Sequence, residues 1–229
     1  MKIAVVIPVF NEKNTIIEIV DKVQKTSFEK TIIIVDDFST DGSREIIKEK
    51  LNDSNIIKFY HDKNMGKGAA LRTGFKNIPA DCGITIIQDG DLEYDPEDYT
   101  IVLKPIIDGK ADVAYGSRFK GISRSMFFWH YLGNKFLSLL TNVLYNTLIS
   151  DMETCYKAFK SEIIRNVKIT ANRFDFEPEI TAIILKKGYR LVEVPIQYYG
   201  RDYTEGKKIT WRDGFAAMWT LIKYKFIRV

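Results

Sequence analysis

Short apolar runs alternate with helix-like segments through the first half of this 229-residue chain. The runs are rich in β-branched residues, whereas the segments between them carry apolar residues three or four positions apart. Strands that are apolar throughout need helices on both faces, so this order predicts an α/β fold built on a mostly parallel, doubly wound sheet. The predicted strands are 3–7, 31–35, 56–60, 84–87 and 113–115, and the predicted helices are 14–25, 41–51, 67–77 and 97–108.

Length and cysteine content limit the chain further. Its length fits one domain with room for a small appendage. Cys82 and Cys155 are far apart and belong to no paired motif, so we expect a reducing compartment with neither a disulfide nor a zinc site. Met1 leads directly into an apolar strand, so we expect no signal peptide and a cytoplasmic protein.

Polar and charged residues directly follow four of the predicted strands. They occupy 8–12 after the first strand, 36–42 after the second, 88–91 after the fourth and 116–118 after the fifth. The carboxyl ends of parallel strands meet at one edge of the sheet, where open α/β sheets bind ligands. A structural protein has no need of carboxylates gathered at that edge, and the pattern therefore indicates an enzyme.

An Asp-Gly-Asp sequence follows the fourth strand. In an extended segment Asp89 and Asp91 point the same way, and Gly90 would let the backbone turn without strain. Two neighbouring carboxylates suit Mg²⁺ or Mn²⁺, which take further ligands from water and substrate phosphates. The alternative is a polar turn stabilised by aspartates. The position beside three other polar segments favours the metal site.

Other candidate residues lie at the same predicted edge. Asp37 could accept hydrogen bonds from a base or ribose, whereas Asp41 fits a helix cap. Glu12 fits either a ligand contact or the first turn of a helix. Lys67, in a Gly-Lys-Gly sequence, could approach a phosphate. The chain has no G-x-G-x-x-G after the first strand and no P-loop spacing, which argues against a dinucleotide dehydrogenase and a nucleoside triphosphatase.

Three of these segments together resemble the family 2 glycosyltransferases, which have the GT-A fold. Further segments resemble the polyprenyl-phosphate branch, which includes dolichol-phosphate mannose synthases and polyprenyl-phosphate glucosyltransferases. The likeness runs from residue 3 to residue 215. The sequence lacks the C-terminal transmembrane helices found in many members of the branch. The family segments are Val5-Val6-Ile7-Pro8-Val9-Phe10-Asn11-Glu12, Val35-Asp36-Asp37-Phe38-Ser39-Thr40-Asp41-Gly42 and Gln88-Asp89-Gly90-Asp91, and the branch segments are Asn64-Met65-Gly66-Lys67-Gly68, Gly116-Ser117-Arg118-Phe119, Asp151-Met152-Glu153-Thr154-Cys155-Tyr156-Lys157, and Arg201 with Gly206-Lys207-Lys208-Ile209.

The resemblance implies a nucleotide-diphospho-sugar donor, a polyprenyl or dolichyl phosphate acceptor, and a role for each matching residue. Asp89 and Asp91 would hold the metal on the diphosphate, with Gly90 behind the pocket where relatives often have alanine. Arg118 would face the acceptor phosphate. The implied nucleotide-sugar site is Pro8, Phe10, Glu12, Val35, Asp37, Lys67, Asp89, Gly90, Asp91, Arg201 and Lys207, and the implied catalytic group is Asp91, Asp151, Arg118 and Arg201.

The family resemblance also implies an inverting reaction, in which the acceptor oxygen attacks opposite the leaving nucleoside diphosphate. Asp151 is the candidate base, although a phosphate monoester, with its second pKa near 6, is largely ionised at neutral pH and needs a base less. Asp151 could instead position the acceptor or cap a local structure. The motifs favour a UDP-hexose donor, with GDP-mannose as the alternative. A soluble family 2 enzyme extending a glycan, a nucleotidyltransferase and a non-enzymatic binding module remain competing interpretations.

Two segments suggest contact with a membrane. Residues 126–149 are apolar but interrupted by Asn and Lys, which fits an amphipathic helix on a membrane or a buried core helix better than a span. Residues 201–229 carry seven basic and three acidic side chains, which accounts for the net charge of +4. We expect peripheral attachment to the cytoplasmic face of a membrane and no nucleic-acid partner. The predicted division is a catalytic domain at 1–210, with a nucleotide-sugar half at 1–118 and an acceptor half at 119–210, and an amphipathic basic helix at 211–229.

Overall fold

The computed structural model describes residues 1–124, 127–201 and 211–228, and within them one sheet is flanked by helices. The strands are β1 (Lys2–Val9), β2 (Lys30–Asp36), β3 (Ile56–Tyr60), β4 (Cys82–Ile87), β5 (Val113–Ser117), β6 (Lys157–Lys160) and β7 (Leu191–Pro195). The helices are α1 (Ile16–Lys25), α2 (Ser43–Lys50), α3 (Lys67–Lys76), α4 (Tyr99–Ile107), α5 (Phe128–Tyr145), α6 (Ser161–Asn166), α7 (Phe176–Lys186) and α8 (Trp211–Phe226), with a 3₁₀ turn at Pro96–Asp98.

The strand order is β3-β2-β1-β4-β6-β5-β7. The first four strands pair in parallel and so do β5 and β7, whereas β6 runs antiparallel between β4 and β5. Every strand and helix predicted for the first half is present, and the predicted α/β fold is confirmed. The sequence pattern did not identify β6 and β7, because β6 has four residues of which two are lysines, and β7 has a central glutamate.

Alternation along β1 divides the hydrophobic core into two layers. Val5 and Ile7 face one layer, where they pack with α1, α2 and α4. Ala4 and Val6 face the other layer, where they pack with α3, α6 and α7. Each fully buried Val or Ile side chain contributes about 1.5–3 kcal/mol relative to an exposed one. Packing on both faces fixes the register of the central strands and thereby the loops at their carboxyl ends.

Helix α5 is packed on one side only. Its Leu137 forms a third, small core with Ala217 and Leu221 of α8. The core-helix alternative for 126–149 is therefore wrong, because most apolar side chains of α5 are exposed. Among the described residues, every helix is too short or too polar to cross a bilayer. We call the exposed set the aromatic face; it comprises Phe128, Trp129, Leu132, Phe136, Leu139 and Val143 of α5 and Phe215, Trp219 and Phe226 of α8.

Candidate active site

A cleft of about 1150 Å³ opens at the carboxyl edge of the sheet. The segments that follow β1, β2, β4 and β5 line it, together with the first half of α5 and the start of α7. The structure thus brings most of the predicted site residues into one cavity. Those that line it are Pro8, Phe10, Glu12, Asp37, Lys67, Asp89, Gly90, Asp91, Arg118 and Arg201.

Three non-glycine residues with positive φ lie at this edge. Asn11, Phe38 and Leu92 follow β1, β2 and β4, with φ of 56°, 66° and 64°. A residue held in this conformation costs on the order of 1–3 kcal/mol, and such residues gather at functional sites. The surrounding structure holds them in place; for example, Oδ1 of Asn11 accepts the backbone N–H of Thr40 at 2.8 Å. The loops around the cleft are therefore set by tertiary contacts as well as by local preference.

Asp89 and Asp91 form an acidic pair in the cleft, and Lys67 offsets the charge of Asp89. Its Nζ lies 2.7 Å from Oδ1 of Asp89 and 3.6 Å from Oε1 of Glu177. It also lies 2.9 Å from Sγ of Cys155. Burial alone would lower the pKa of Lys67, but the negative groups around it, Asp89 foremost, raise the pKa well above its ordinary value. The ammonium group is therefore charged at neutral pH.

Arg201 occupies the other end of the pair. Its Nη2 lies 2.6 Å from Oδ2 of Asp91, its Nη1 lies 3.0 Å from Oε2 of Glu12, and its backbone N–H donates to Oε1 of Glu93 at 2.7 Å. Burial, followed by the charges of Asp89 and Glu93, raises the pKa of Asp91 to about 7. One guanidinium does not offset the negative charge gathered around Asp91.

This acidic pair fits a divalent cation. Its ligands are carboxylate oxygens, the donors that Mg²⁺ and Mn²⁺ prefer, and the local excess of negative charge favours a cation. In the part of the chain that the structure describes, no three Asp, Glu, His or Cys side chains converge as a metal site. Asp89 and Asp91 would therefore leave coordination positions for diphosphate oxygens and water.

The glycine of the Asp-Gly-Asp sequence is not required by the backbone. Gly90 lies in a turn, as expected, but without a positive φ, and a Cβ there would meet Cγ of Glu12 at an ordinary 3.6 Å. Gly66 differs, because its φ is 93° and a Cβ would lie 2.4 Å from the carbonyl oxygen of Asn172. The glycine ahead of Lys67 thus allows the start of α3 to lie against the 171–172 segment.

Asp37 lines the cleft but also anchors the loop that enters α3. Its Oδ1 accepts the backbone N–H of Met65 at 2.9 Å, and its Oδ2 accepts that of Gly66 at 2.7 Å. Nδ1 of His61 lies 2.7 Å from Oδ1. The carboxylate is nearly fully buried. Asp37 therefore ties the end of β2 to the loop that carries Lys67.

Arg118 and Asp151 form a buried ion pair. Nε and Nη2 of Arg118 donate to the two carboxylate oxygens of Asp151 at 2.8 and 2.7 Å, and the Arg118 backbone N–H donates to Oδ2 at 2.9 Å. Arg118 lines the cleft, with its guanidinium 5.3 Å from the centre of the Tyr198 ring, whereas fully buried Asp151 does not line it. These contacts favour the alternative in which Asp151 positions a neighbour, here Arg118, over its role as a base.

One further predicted residue lies outside the cleft. Val35 was expected in the nucleoside pocket, but its fully buried side chain packs in the core layer that contains Val6 and Leu71, and it does not line the cleft. Alternation along β2 accounts for this placement, because Val35 points to the same face as Ile33. Lys207 lies outside the described residues.

Several residues that line the cleft were missed in the sequence. Glu177 gave only a weak signal, since acidic residues are common in the first turn of a helix. Glu153 and Cys155 belong to a segment noted for its family likeness, but no role was assigned to them. The missed residues include Asn64, Glu93, Tyr94, Glu153, Cys155, Arg173, Phe174, Glu177 and Tyr198.

Comparisons with known proteins find similar sequences and a similar fold. The family model described as "Glycosyl transferase family 2" matches residues 4–168. The UDP-N-acetylglucosamine–dolichyl-phosphate N-acetylglucosaminyltransferase of Methanococcus voltae is 29% identical, over 99% of this chain and 97% of its own. The polyprenol monophosphomannose synthase of Mycolicibacterium smegmatis is 27% identical, over 86% of this chain and 77% of its own.

A similar fold occurs in the glucosyl-3-phosphoglycerate synthase of Mycobacterium tuberculosis, solved with Mn²⁺, UDP and glucosyl-3-phosphoglycerate. That structure covers 100% of this chain, which in turn covers 81% of it, with a TM-score of 0.75 and 17% sequence identity.

Proposed function

The chain belongs to glycosyl transferase family 2, and from this premise we propose that it transfers a hexose from a UDP-sugar to a polyprenyl or dolichyl phosphate with inversion. The observation that carries the proposal is the continuity of the cleft. Its inner part holds Asp89, Asp91 and the cations beside them, whereas its outer part is lined by Phe127 and by Trp129, which belongs to the aromatic face. A phosphate joined to a long apolar chain needs both surfaces.

The donor would occupy the inner cleft. Pro8, Phe10 and Asp37 line the part at the ends of β1 and β2, which we assign to the nucleoside. Lys67 and Arg201 would offset negative charge as the nucleoside diphosphate leaves. A divalent cation at Asp89 and Asp91, for which Mn²⁺ and Mg²⁺ are both candidates, would supply further positive charge to the leaving diphosphate.

The acceptor phosphate would lie near Arg118. The ion pair with Asp151 holds the guanidinium in the wall of the cleft, where it can orient an anionic nucleophile toward the sugar. Because the acceptor is already ionised, no general base is needed. We assign most of donor binding to 1–118, completed by Arg201, and most of acceptor binding to 119–210, completed by Arg118, with α8 as part of the membrane-facing surface.

Transfer of labelled sugar to an extractable lipid tests the proposal. The purified protein would be incubated with Mn²⁺, a polyprenyl phosphate in detergent, and radiolabelled UDP-glucose, UDP-N-acetylglucosamine or GDP-mannose in turn. We expect label in the chloroform phase with a UDP-sugar, and none when unphosphorylated polyprenol replaces the phosphate. Label from GDP-mannose alone would overturn the donor assignment. Label confined to a water-soluble glycan would favour the soluble-transferase alternative.

The aromatic face is proposed to attach the protein to the cytoplasmic surface of a membrane. Phe128 and Trp129 are 65% and 75% exposed beside the mouth of the cleft. Since burying one large apolar side chain is worth about 1.5–3 kcal/mol, replacing both with serine should lower partitioning onto anionic vesicles by about tenfold or more. Vesicle flotation at low and high salt measures this, and salt should weaken binding because basic residues contribute.

A matched control is available on α4. Ile101 and Ile107 are 45% and 47% exposed, away from the aromatic face, and their replacement by serine should leave flotation unchanged. An equal loss in both double variants would contradict the assignment of the membrane surface.

A further inference from the structure

Glu177 has an open hydrogen-bonding position inside the cleft. It lies in the first turn of α7, lines the cleft, and is 2% exposed. Its Oε1 lies 3.6 Å from Nζ of Lys67 and 3.5 Å from Sγ of Cys155. Its Oε2 is buried and has no hydrogen-bond partner among the residues that the structure describes. A buried carboxylate oxygen without a donor is costly, because it has lost water without gaining a replacement.

Glu179, two residues further along α7, shows how a glutamate with a structural role is bound in this helix. Its Oε1 accepts the backbone N–H of Thr170 at 2.7 Å, and its Oε2 accepts that of Ala171 at 2.6 Å. The Tyr224 hydroxyl also donates to Oε1. Both oxygens of Glu179 are thus satisfied by the protein. Glu177 has the same chemistry and similar burial but leaves one oxygen open.

The position of Glu177 indicates which ligand group it would meet. Lys67 links it to Asp89, with 2.7 Å from Nζ to Asp89 and 3.6 Å from Nζ to Glu177. In a nucleotide-sugar the hexose is bonded directly to the terminal phosphate, so a diphosphate held at Asp89 and Lys67 places the sugar ring beside this wall. Glu153 also lines the cleft, and its Oε1 likewise has no hydrogen-bond partner within residues 1–124, 127–201 and 211–228. The groups of a hexose that a carboxylate binds are its hydroxyls, which donate hydrogen bonds.

We propose that Glu177 is a specificity-determining residue whose open carboxylate oxygen accepts a hydrogen bond from a hydroxyl of the transferred hexose. The inference rests on the proposed function, because it takes the ligand of the inner cleft to be a nucleotide-sugar. The carboxylate selects a donor whose hydroxyl reaches it and disfavours one that leaves the buried oxygen unpaired. Lys67 lies 2.7 Å from Asp89 and 3.6 Å from Glu177, and this shared contact couples sugar recognition to phosphate binding.

The test compares UDP with UDP-glucose on the wild type, Glu177→Gln and Glu177→Asp. Isothermal titration with Mn²⁺ present should give UDP affinities within about twofold of one another, because UDP lacks the sugar. Affinity for UDP-glucose should fall on the order of 10- to 100-fold in Glu177→Gln, the range expected for a hydrogen bond to a charged group. Glu177→Asp keeps the carboxylate but shortens the side chain, so its affinity for UDP-glucose should lie between those of the wild type and Glu177→Gln.

Deoxy donors identify the hydroxyl. UDP-glucose analogues that each lack one hydroxyl would be titrated into the wild type and Glu177→Gln. For the analogue that lacks the bound hydroxyl, the difference in affinity between the wild type and Glu177→Gln should disappear, as in a double-mutant cycle. If the difference persists for every analogue, or if UDP affinity falls as much as UDP-glucose affinity, the proposal is overturned.

Thermal melting separates this role from a structural one. Glu177→Gln removes a buried charge with an unpaired oxygen and should not lower Tm, whereas Glu179→Gln disrupts a satisfied carboxylate and should lower it. A Tm loss in Glu177→Gln as large as that in Glu179→Gln would contradict the proposal. The titrations do not involve the acceptor, so failure of the wild type to glycosylate polyprenyl phosphate would overturn the proposed function and leave the test of Glu177 intact.

Discussion

Replacing Asp91 with asparagine should lower the rate of sugar transfer on the order of 10³-fold, the scale seen when one preorganised electrostatic contact to a transition state is lost. Asparagine is close in size to aspartate, but it cannot supply the charge that binds a divalent cation. The fold should survive, because burial and the neighbouring carboxylates already raise the pKa of Asp91 to about 7 and so reduce the preference for its ionised form. Arg201 would retain its contacts with Glu12.

Two measurements check this expectation. The transfer assay gives the loss of rate, and electron paramagnetic resonance of Mn²⁺ with and without UDP gives the loss of donor-dependent metal binding. Asp81→Asn is the matched control, since Asp81 pairs with Lys2 at the opposite end of the sheet and should change neither measurement. Wild-type Mn²⁺ binding in Asp91→Asn would contradict the metal assignment, even if the transfer rate fell.

The sequence predicted those parts of the molecule in which one physical requirement acts on consecutive residues. Strands β1, β2 and β4 are buried on both faces, so their apolar runs are continuous, and the polar segments that follow them had to meet at one edge. Asp89 and Asp91 were found for this reason, whereas Lys67 was found from its Gly-Lys-Gly sequence. The family resemblance added Arg118 and Arg201, which no local pattern distinguishes from surface cations.

The residues that were missed or misassigned depend on contacts between distant segments. Asp151 was a candidate base until the structure paired it with Arg118, 33 positions away. The open oxygen of Glu177 is visible only once Lys67 and Cys155 are placed around it. Exposure of the α5 aromatic residues was equally undetermined, because an apolar helix has the same sequence pattern in a core and at a membrane surface.

Breaking the buried pair of Arg118 and Asp151 should destabilise the protein strongly. Arg118 is 8% exposed and Asp151 is fully buried, and each is the other's charge partner. Asp151→Asn should therefore cost about 3–5 kcal/mol in the free energy of unfolding, because the guanidinium stays buried without its carboxylate. Urea unfolding followed by circular dichroism measures the loss. Transfer should also fall, since Arg118 is no longer held in the cleft wall.

Asp112 provides a control of the same geometry at the surface. Arg190 donates to its carboxylate through Nε, Nη2 and the backbone N–H, as Arg118 does to Asp151, but Arg190 is 55% exposed, and Lys160 is a second partner of Asp112 at 2.8 Å. Asp112→Asn should therefore cost less than Asp151→Asn, because exposed ion pairs contribute about 0.2–1 kcal/mol. Equal losses in the two variants would show that burial does not govern the strength of the Arg118–Asp151 pair.

The double variant Arg118→Met, Asp151→Leu separates stability from function. Replacing a buried ion pair with apolar side chains of similar size is often neutral or stabilising, so most of the unfolding free energy lost in Asp151→Asn should return. Sugar transfer should remain low, because no cation would face the acceptor phosphate in the cleft wall. Recovery of both would remove Arg118 from the acceptor site and leave the pair a structural one. We expect stability to recover and sugar transfer to stay low. Sugar transfer requires the Arg118 guanidinium itself, whereas the Asp151 carboxylate is needed only to orient that guanidinium.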